Sequence, residues 1–335
     1  MSREQTLSVV MPVFNAGPFL PIAIESILNQ TYGAFEFIIY DDCSTDGSYE
    51  TALRYADNDA RIRVLRGNAR LGPAGSSKAA AMAATTPLVA RMDADDVARP
   101  DRLELQLRAM LHVPDAAVIG SLYIFIDESG GLLRASSRAQ LLGGRPSPVH
   151  PSLMYRRQTM EDAGGYLDNT DLVEDTDLLR RLSSRGTLLM VPQPLIEIRM
   201  VGQSARSKED MISIETRMQR WYGGGRPSDR KREIDPEIYH TIALLSIYRG
   251  TFPGVMLRAI ARMRLKPFGA AMKALLLLAL GSVSPAFARR CSHFWAMAGD
   301  RIAAPRIPSD HLFAWNEGRG RDLGPGFLDT PLPDN

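Results

Sequence analysis

From residue 6 onward, short apolar runs alternate with amphipathic segments, and this alternation continues to about residue 102. "LSVVMPVF" is a β-branched run closed by Asn15, Ala16, Gly17 and Pro18, the pattern of a buried strand entering a turn. Within 21–30, Ile24, Ile27 and Leu28 fall at helical spacing, with Pro21 in the first turn. "FEFIIYDD" predicts a second strand, and the polar stretch 44–48 offers a cap for a helix over "YETALRYADN". "IRVLRG" and "PLVARMD" predict the third and fourth strands, separated by the alanine-rich helix "AGSSKAAAMAAT". Strands and helices in this order predict a mostly parallel sheet covered on both faces, and such sheets gather ligands at the carboxyl ends of their strands. The acidic residues fall at those ends: Asp41 and Asp42 close strand two, and Asp93, Asp95 and Asp96 close strand four.

Past residue 102 the pattern loosens. "RLELQLRAML" predicts a helix, "AAVIGSLYIFID" one or two strands, and "ESGGLL" a hairpin-like turn. "RPSPVHPSLMYRR" carries three prolines and predicts a loop entering a strand. In "TDLVEDTDLLRRLSSRG", Leu178, Leu179 and Leu182 share a helical face, with Glu174 and Asp175 near the N-terminus, where the helix dipole favours anions. "LLMVPQPLIEIRM" supplies a further strand.

From about 217 the alternation stops and arginine accumulates. Residues 217–321 hold eighteen Lys and Arg against seven Asp and Glu, whereas residues 1–216 carry an acidic excess of six. This predicts a catalytic domain over 1–216 and a basic, helical extension over 217–335 ending in a loose Gly- and Pro-rich tail. The fifteen-residue stretch 274–288, bracketed by Lys273 and Arg289, is too short and too interrupted by Gly281 and Pro285 for a membrane span. It suits an interfacial helix, so the extension either packs on the domain or meets an anionic membrane surface through 249–290. No nucleic-acid motif accompanies the charge. Two cysteines, Cys43 and Cys291, form no metal or disulfide pattern, and no signal-peptide pattern opens the chain. A cytoplasmic protein, peripheral at the inner face of a membrane, is the expectation.

Asp93, Asp95 and Asp96 offer hard oxygen ligands on a turn, the kind of group that binds Mg²⁺ or Mn²⁺ together with water and substrate phosphates. The alternative is a solvated turn capping the helix that follows. No GxGxxG follows the first strand and no GxxxxGK[ST] occurs, so phosphates have no glycine-rich cradle and a metal would have to hold them. Asp41 or Asp42 can accept from a base N–H or a ribose hydroxyl.

Together "SVVMPVFNAGPFLPIAIESILNQTYGAFEFIIYDDCSTDGS", "NARLGPAGSSKAAA", "ARMDADDVARPDRLELQ", "VHPSLMYRR" and "VEDTDLLRRL" resemble glycosyltransferase family 2 over roughly 6–205. The resemblance implies a GT-A fold, an α/β Rossmann-like mixed sheet flanked by helices, here followed by the basic extension. It implies that Pro12, Phe14 and Asn15 border a nucleotide base, that one of Asp41 and Asp42 reads it, and that Cys43 stands where the family usually has glycine. By the same resemblance Asp93 faces ribose, Asp95 ligates the metal, Asp175 is the catalytic base with Glu174 beside it, and Arg70 and Lys78 lie near the donor. Relatives often carry a "YRxH" segment; this chain reads "EIRMVGQSARSK", so Arg199, Arg206 or Lys208 substitutes electrostatically, or the DxD group acts alone. His150, before Pro151, is either a structural donor or a contact to acceptor or phosphate.

The implied chemistry is inverting transfer of a sugar from a nucleoside diphosphate, by expectation UDP, to a glycan or lipid-linked glycan in surface polysaccharide assembly. A carboxylate takes the proton of an acceptor hydroxyl attacking the anomeric carbon opposite the leaving group. The rival readings are a non-catalytic nucleotide-sugar-binding scaffold of the same fold, and a nucleotidyltransferase.

Overall fold

The computed structural model describes residues 6–135, 148–168, 170, 173–201, 310–316 and 319–333. They belong to one compact unit formed by Met1–Val201 and Ala304–Asn335. The expected boundary at 216, residues 217–309 of the expected helical extension with its 249–290 segment, Arg206 and Lys208 lie outside the described residues.

The first half follows the hydrophobic pattern. β1 (Leu7–Val13), β2 (Phe35–Asp41), β3 (Ile62–Arg66) and β4 (Leu88–Arg91) are parallel, with β1 between β4 and β2 and β3 outside β2. α1 (Phe19–Leu28), α2 (Ser48–Ala56) and α3 (Gly72–Met82) connect them. α1 begins two residues before the expected start, with Pro21 inside its first turn, where an N–H would have no intrahelical acceptor.

Alternate residues of each strand enter different cores. Val9 and Met11 of β1 join Phe37 and Ile39 of β2 beneath Leu20, Ile24 and Ile27 of α1. Val10, Ile38 and Val89 face the other way, against Ala80 and Ala81 of α3 and Leu178 and Leu182. Burying both faces is why these strands read as unbroken apolar runs; each fully buried large side chain contributes roughly 1.5–3 kcal/mol.

The second half mixes directions. After the two-residue strand β5 (Val97–Ala98) and α4 (Arg102–His112), β6 (Ala116–Ile126) forms one long strand, with β7 (Leu132–Ala135) as its hairpin partner. A 3₁₀ turn, His150–Ser152, leads into β8 (Met154–Arg156), which is antiparallel to both β4 and β6. α5 (Arg157–Asp162) and α6 (Glu174–Ser183) precede β9 (Thr187–Arg199), parallel to β6.

The C-terminal stretch departs from expectation. Instead of a loose tail, β10 (Leu312–Asn316) pairs antiparallel with β9, and β11 (Arg319–Gly324) pairs with β10. The sheet order is β11-β10-β9-β6-β8-β4-β1-β2-β3. Leu312 and Ala314 enter the same core as α1, and Phe327, fully buried, packs with them. Gly324, with φ of 72°, ends β11, and Phe327 in the 3₁₀ turn that follows anchors the stretch to the core.

Candidate active site

The site is built at the carboxyl ends of β1, β2 and β4, where the sheet order reverses direction about β1. The loop after β1 and the loop after β2 are laced together. Asn15 N–H donates to Ser44 Oγ (3.0 Å), Thr45 N–H to Asn15 Oδ1 (2.8 Å), and Gly17 N–H to Asp46 Oδ2 (2.8 Å). Pro12 sits opposite Tyr40 in the β1–β2 register. Asn15 and Cys43 adopt left-handed backbone, with φ of 50° and 62°. Asparagine tolerates that region; cysteine does so at a cost, so the Cys43 backbone still has the conformation that favours glycine. Its thiol is free and donates to the Gly67 carbonyl at 3.3 Å.

Asp41 and Asp42 are both buried but differently held. Asp42 accepts the N–H groups of Leu71 (2.7 Å) and Gly72 (2.9 Å), tying the entry of α3 to the end of β2. Asp41 Oδ2 accepts Ser44 N–H at 3.1 Å and lies 3.3 Å from Arg66 Nε, while its Oδ1 has no hydrogen-bond partner among the described residues. Arg70, beside this loop, stacks its guanidinium over the Phe14 ring at 3.7 Å. Lys78 lies apart, paired with Asp168 at 3.1 Å and lining a shallow cavity with Met82, Met160 and Tyr166.

Beyond β4 the "DADD" turn divides its carboxylates. Asp96 points inward, and Oδ1 accepts the backbone N–H of Arg199 at 2.8 Å. Asp93 lies 2.8 Å from a guanidinium nitrogen of the buried Arg91. Arg102, also buried, donates to the Arg91 carbonyl at 2.6 Å; burial, with Arg91 close by, lowers its pKa to about 9. Burial first and the Asp93 charge second push Asp95 up to about 6, and the same causes, with Asp95 added, hold Asp96 well above the usual carboxylate range.

Arg199 is one of three basic residues offered as electrostatic substitutes for the missing histidine, beside the alternative that the DxD group acts alone. Instead its side chain donates to three backbone carbonyls, those of Asp95 (3.0 Å), Asp127 (3.1 Å) and Glu128 (3.0 Å), and stacks over Phe19 at 4.9 Å. It holds the turn from behind. Among the described residues no cluster of three or more His, Cys, Asp or Glu is placed to hold a metal by itself. The carboxylates of Asp93 and Asp95, neither fully buried, nevertheless fit a hard cation whose remaining ligands are water and phosphate.

α6 starts with the pair Glu174 and Asp175. Asp175 is half-buried, and Oδ1 accepts Thr176 N–H at 2.6 Å. Glu174 is buried and faces His150, whose Nδ1 is 3.9 Å from Oε1. His150 is itself buried and bonded to Tyr166, in keeping with the structural alternative raised for it. Sequence reasoning passed over Tyr155 and Tyr166: one lies in a strand and the other follows two glycines, and neither has a signature separate from packing. Arg91 pairs with Asp93, and the Glu174 charge is among those that hold its guanidinium protonated.

The family model described as "Glycosyl transferase family 2" matches residues 8–181, more than half of the chain. The chain belongs to glycosyl transferase family 2. EpsE of Bacillus subtilis strain 168, named as a glycosyltransferase, is 31% identical over 198 residues, spanning 56% of this chain and 69% of that protein. GlyG of Streptococcus pneumoniae serotype 4, also named a glycosyltransferase, is 33% identical over 128 residues, 38% of this chain and 42% of GlyG. Among solved structures, S. aureus TarS 1–349 in complex with UDP-GlcNAc superposes with a TM-score of 0.54 at 14% identity, covering 93% of this chain and 97% of TarS 1–349. The mixed sheet of this family 2 member is accordingly a GT-A fold, and the chain is a glycosyltransferase. Among the described residues no helix is long and apolar enough to cross a membrane.

Proposed function

We propose that this glycosyltransferase moves a sugar with inversion from a UDP-sugar to a glycan or lipid-linked glycan in cell-surface polysaccharide synthesis. The observation that carries the reading is that β4, which leads into the DxD turn, pairs with β8, while the 3₁₀ turn just before β8 sets His150 3.9 Å from Glu174 at the start of α6. A nucleotide diphosphate and a base are both needed at one anomeric carbon, and these two motifs supply them from neighbouring elements. The UDP and UDP-GlcNAc complexes of TarS, a protein of the same fold, support the choice of donor.

The laced loops after β1 and β2, with Pro12, Phe14, Asn15 and the Asp41–Asp42 pair, border the base. Arg70, stacked on Phe14, closes that edge. Asp93 faces ribose and diphosphate. Asp93 and Asp95 would hold Mg²⁺ or Mn²⁺, which when bound offsets the charge that gathers on the departing diphosphate. Asp175 takes the proton from the acceptor hydroxyl as its oxygen attacks the anomeric carbon and the bond to UDP breaks; no covalent enzyme intermediate is needed. The basic 217–321 stretch supports attachment to an anionic membrane surface, where a lipid-linked acceptor resides.

Titration of UDP into the purified chain with Mn²⁺, with and without EDTA and beside Asp95→Ala, tests the site, and hydrolysis of UDP-sugars tests the chemistry. Metal-dependent binding that Asp95→Ala loses is the expected result. Absence of UDP binding in every condition, or turnover unchanged by Asp175→Asn, overturns the reading.

A further inference from the structure

A chain of buried polar side chains runs from the DxD turn to the first turn of α6, and the chemistry above makes no use of its middle links. Arg91 lies 2.8 Å from Asp93 Oδ1 and interacts electrostatically with Tyr155, Tyr166 and Glu174. Tyr155 and Tyr166 are sealed from solvent, and the Tyr155 hydroxyl has no hydrogen-bond partner among the described residues. Tyr166 Oη is 2.7 Å from His150 Nε2, and His150 Nδ1 is 3.9 Å from Glu174 Oε1. Glu174 directly precedes Asp175 at the start of α6.

These residues come from the end of β4, from β8, from the 3₁₀ turn, from the turn after α5 and from α6. Only the fold brings them together. Stability is a poor explanation for the assembly, because buried polar groups are costly unless every member is satisfied, and well-packed apolar residues in their place are often as stable or more so. What such a network does supply is fixed geometry, and its two ends are the carboxylate of the DxD turn and the neighbour of the base.

Resting on the functional reading above, we propose that His150 and Tyr166 are positioning residues for transfer. Tyr166 orients the imidazole, the imidazole holds Glu174, and Glu174 sets how the first turn of α6 presents Asp175. The Arg91 charge, paired with Asp93 at 2.8 Å, also acts on these buried groups. Because proton abstraction needs near-attack geometry, a small displacement of Asp175 slows the chemical step while leaving the nucleotide pocket intact.

The test uses the full chain with Tyr166→Phe, His150→Ala, His150→Gln, Glu174→Gln and the double variant Tyr166→Phe/Glu174→Gln. UDP affinity, thermal unfolding and the kcat and KM of UDP-sugar hydrolysis are measured for each. Tyr166→Phe removes one oxygen and keeps the ring, so it remains informative where a harsher change fails to fold. We expect kcat to fall about tenfold to a hundredfold in Tyr166→Phe and His150→Ala. UDP affinity and KM stay within about threefold, His150→Gln recovers part of the loss, and the double variant is no slower than its slower parent. A kcat within about twofold of wild type in both Tyr166→Phe and His150→Ala overturns the proposal, as does a loss of UDP affinity in step with kcat and melting temperature. A wild-type protein that neither binds UDP nor hydrolyses UDP-sugars marks failure of the functional reading itself; it is visible before any variant is made and removes the ground of this proposal too.

Discussion

Asp96 accepts the backbone N–H of Arg199 at 2.8 Å, and the Arg199 side chain returns to the Asp95 carbonyl at 3.0 Å. The last residue of β9 thus clamps the turn that carries the DxD carboxylates. This reciprocal contact turns Asp96 inward and separates it from Asp93 and Asp95, although the three are nearly contiguous in sequence.

That division has a pH signature. Burial and the Asp93 charge raise Asp95 to about 6, so its ionisation disfavours the folded state. The penalty is absent below the unfolded value of ~3.9, grows as pH rises through about 6, and is complete above it. In EDTA, Asp95→Asn should match wild type near pH 4 and melt at a higher temperature above pH 7. Mn²⁺ should narrow the gap by stabilising wild type alone. Thermal unfolding across this pH range, with and without Mn²⁺, checks both; a gap that shrinks with rising pH contradicts the account.

Asp175→Asn keeps size and removes basicity. We expect transfer or hydrolysis to fall by about 10²- to 10⁴-fold, with UDP affinity within about threefold of wild type. Single-turnover kinetics beside calorimetry separates the two quantities.

Cys43 occupies left-handed backbone at φ 62°. Cys43→Gly should relieve strain of roughly 1 kcal/mol, offset in part by the greater freedom of glycine in the unfolded chain. The expected net effect is a melting temperature equal to or slightly above that of wild type with UDP binding retained. A drop of several degrees would show that the thiol contact to Gly67 outweighs the strain.

Phe327 is fully buried in the core shared with α1 and α4. Phe327→Ala should cost about 3–5 kcal/mol, so the C-terminal residues act as part of the catalytic domain. Urea unfolding measures it; a midpoint unchanged from wild type would return this stretch to the status of a loose tail.

The four parallel strands were legible because burial on both faces writes itself as apolar runs, and the turn residues between them are local. The carboxylates at strand ends followed from the same pattern. Three features were not legible. The four-residue run 312–315 is too short and isolated to announce a strand, and Phe327 stands alone among glycines and prolines; both gain order only against a sheet already built. Arg199 looked like a ligand for diphosphate because charge is visible in a sequence whereas the nearby carbonyls of Asp95, Asp127 and Glu128 are not. Tyr155 and Tyr166 resembled ordinary core aromatics until His150 lay beside them.

The sequence alone determined the family, the parallel half of the sheet and the motifs at its strand ends, since each depends on periodicity or spacing within a short window. Tertiary structure decided that Asp96 turns inward to the Arg199 backbone, that the Arg199 side chain is spent on backbone carbonyls, that β10 and β11 extend the sheet at β9, and that His150 lies between Tyr166 and Glu174. Those outcomes rest on contacts between residues far apart in the chain, where hydrogen-bond partners and burial are set by packing and no local pattern records them.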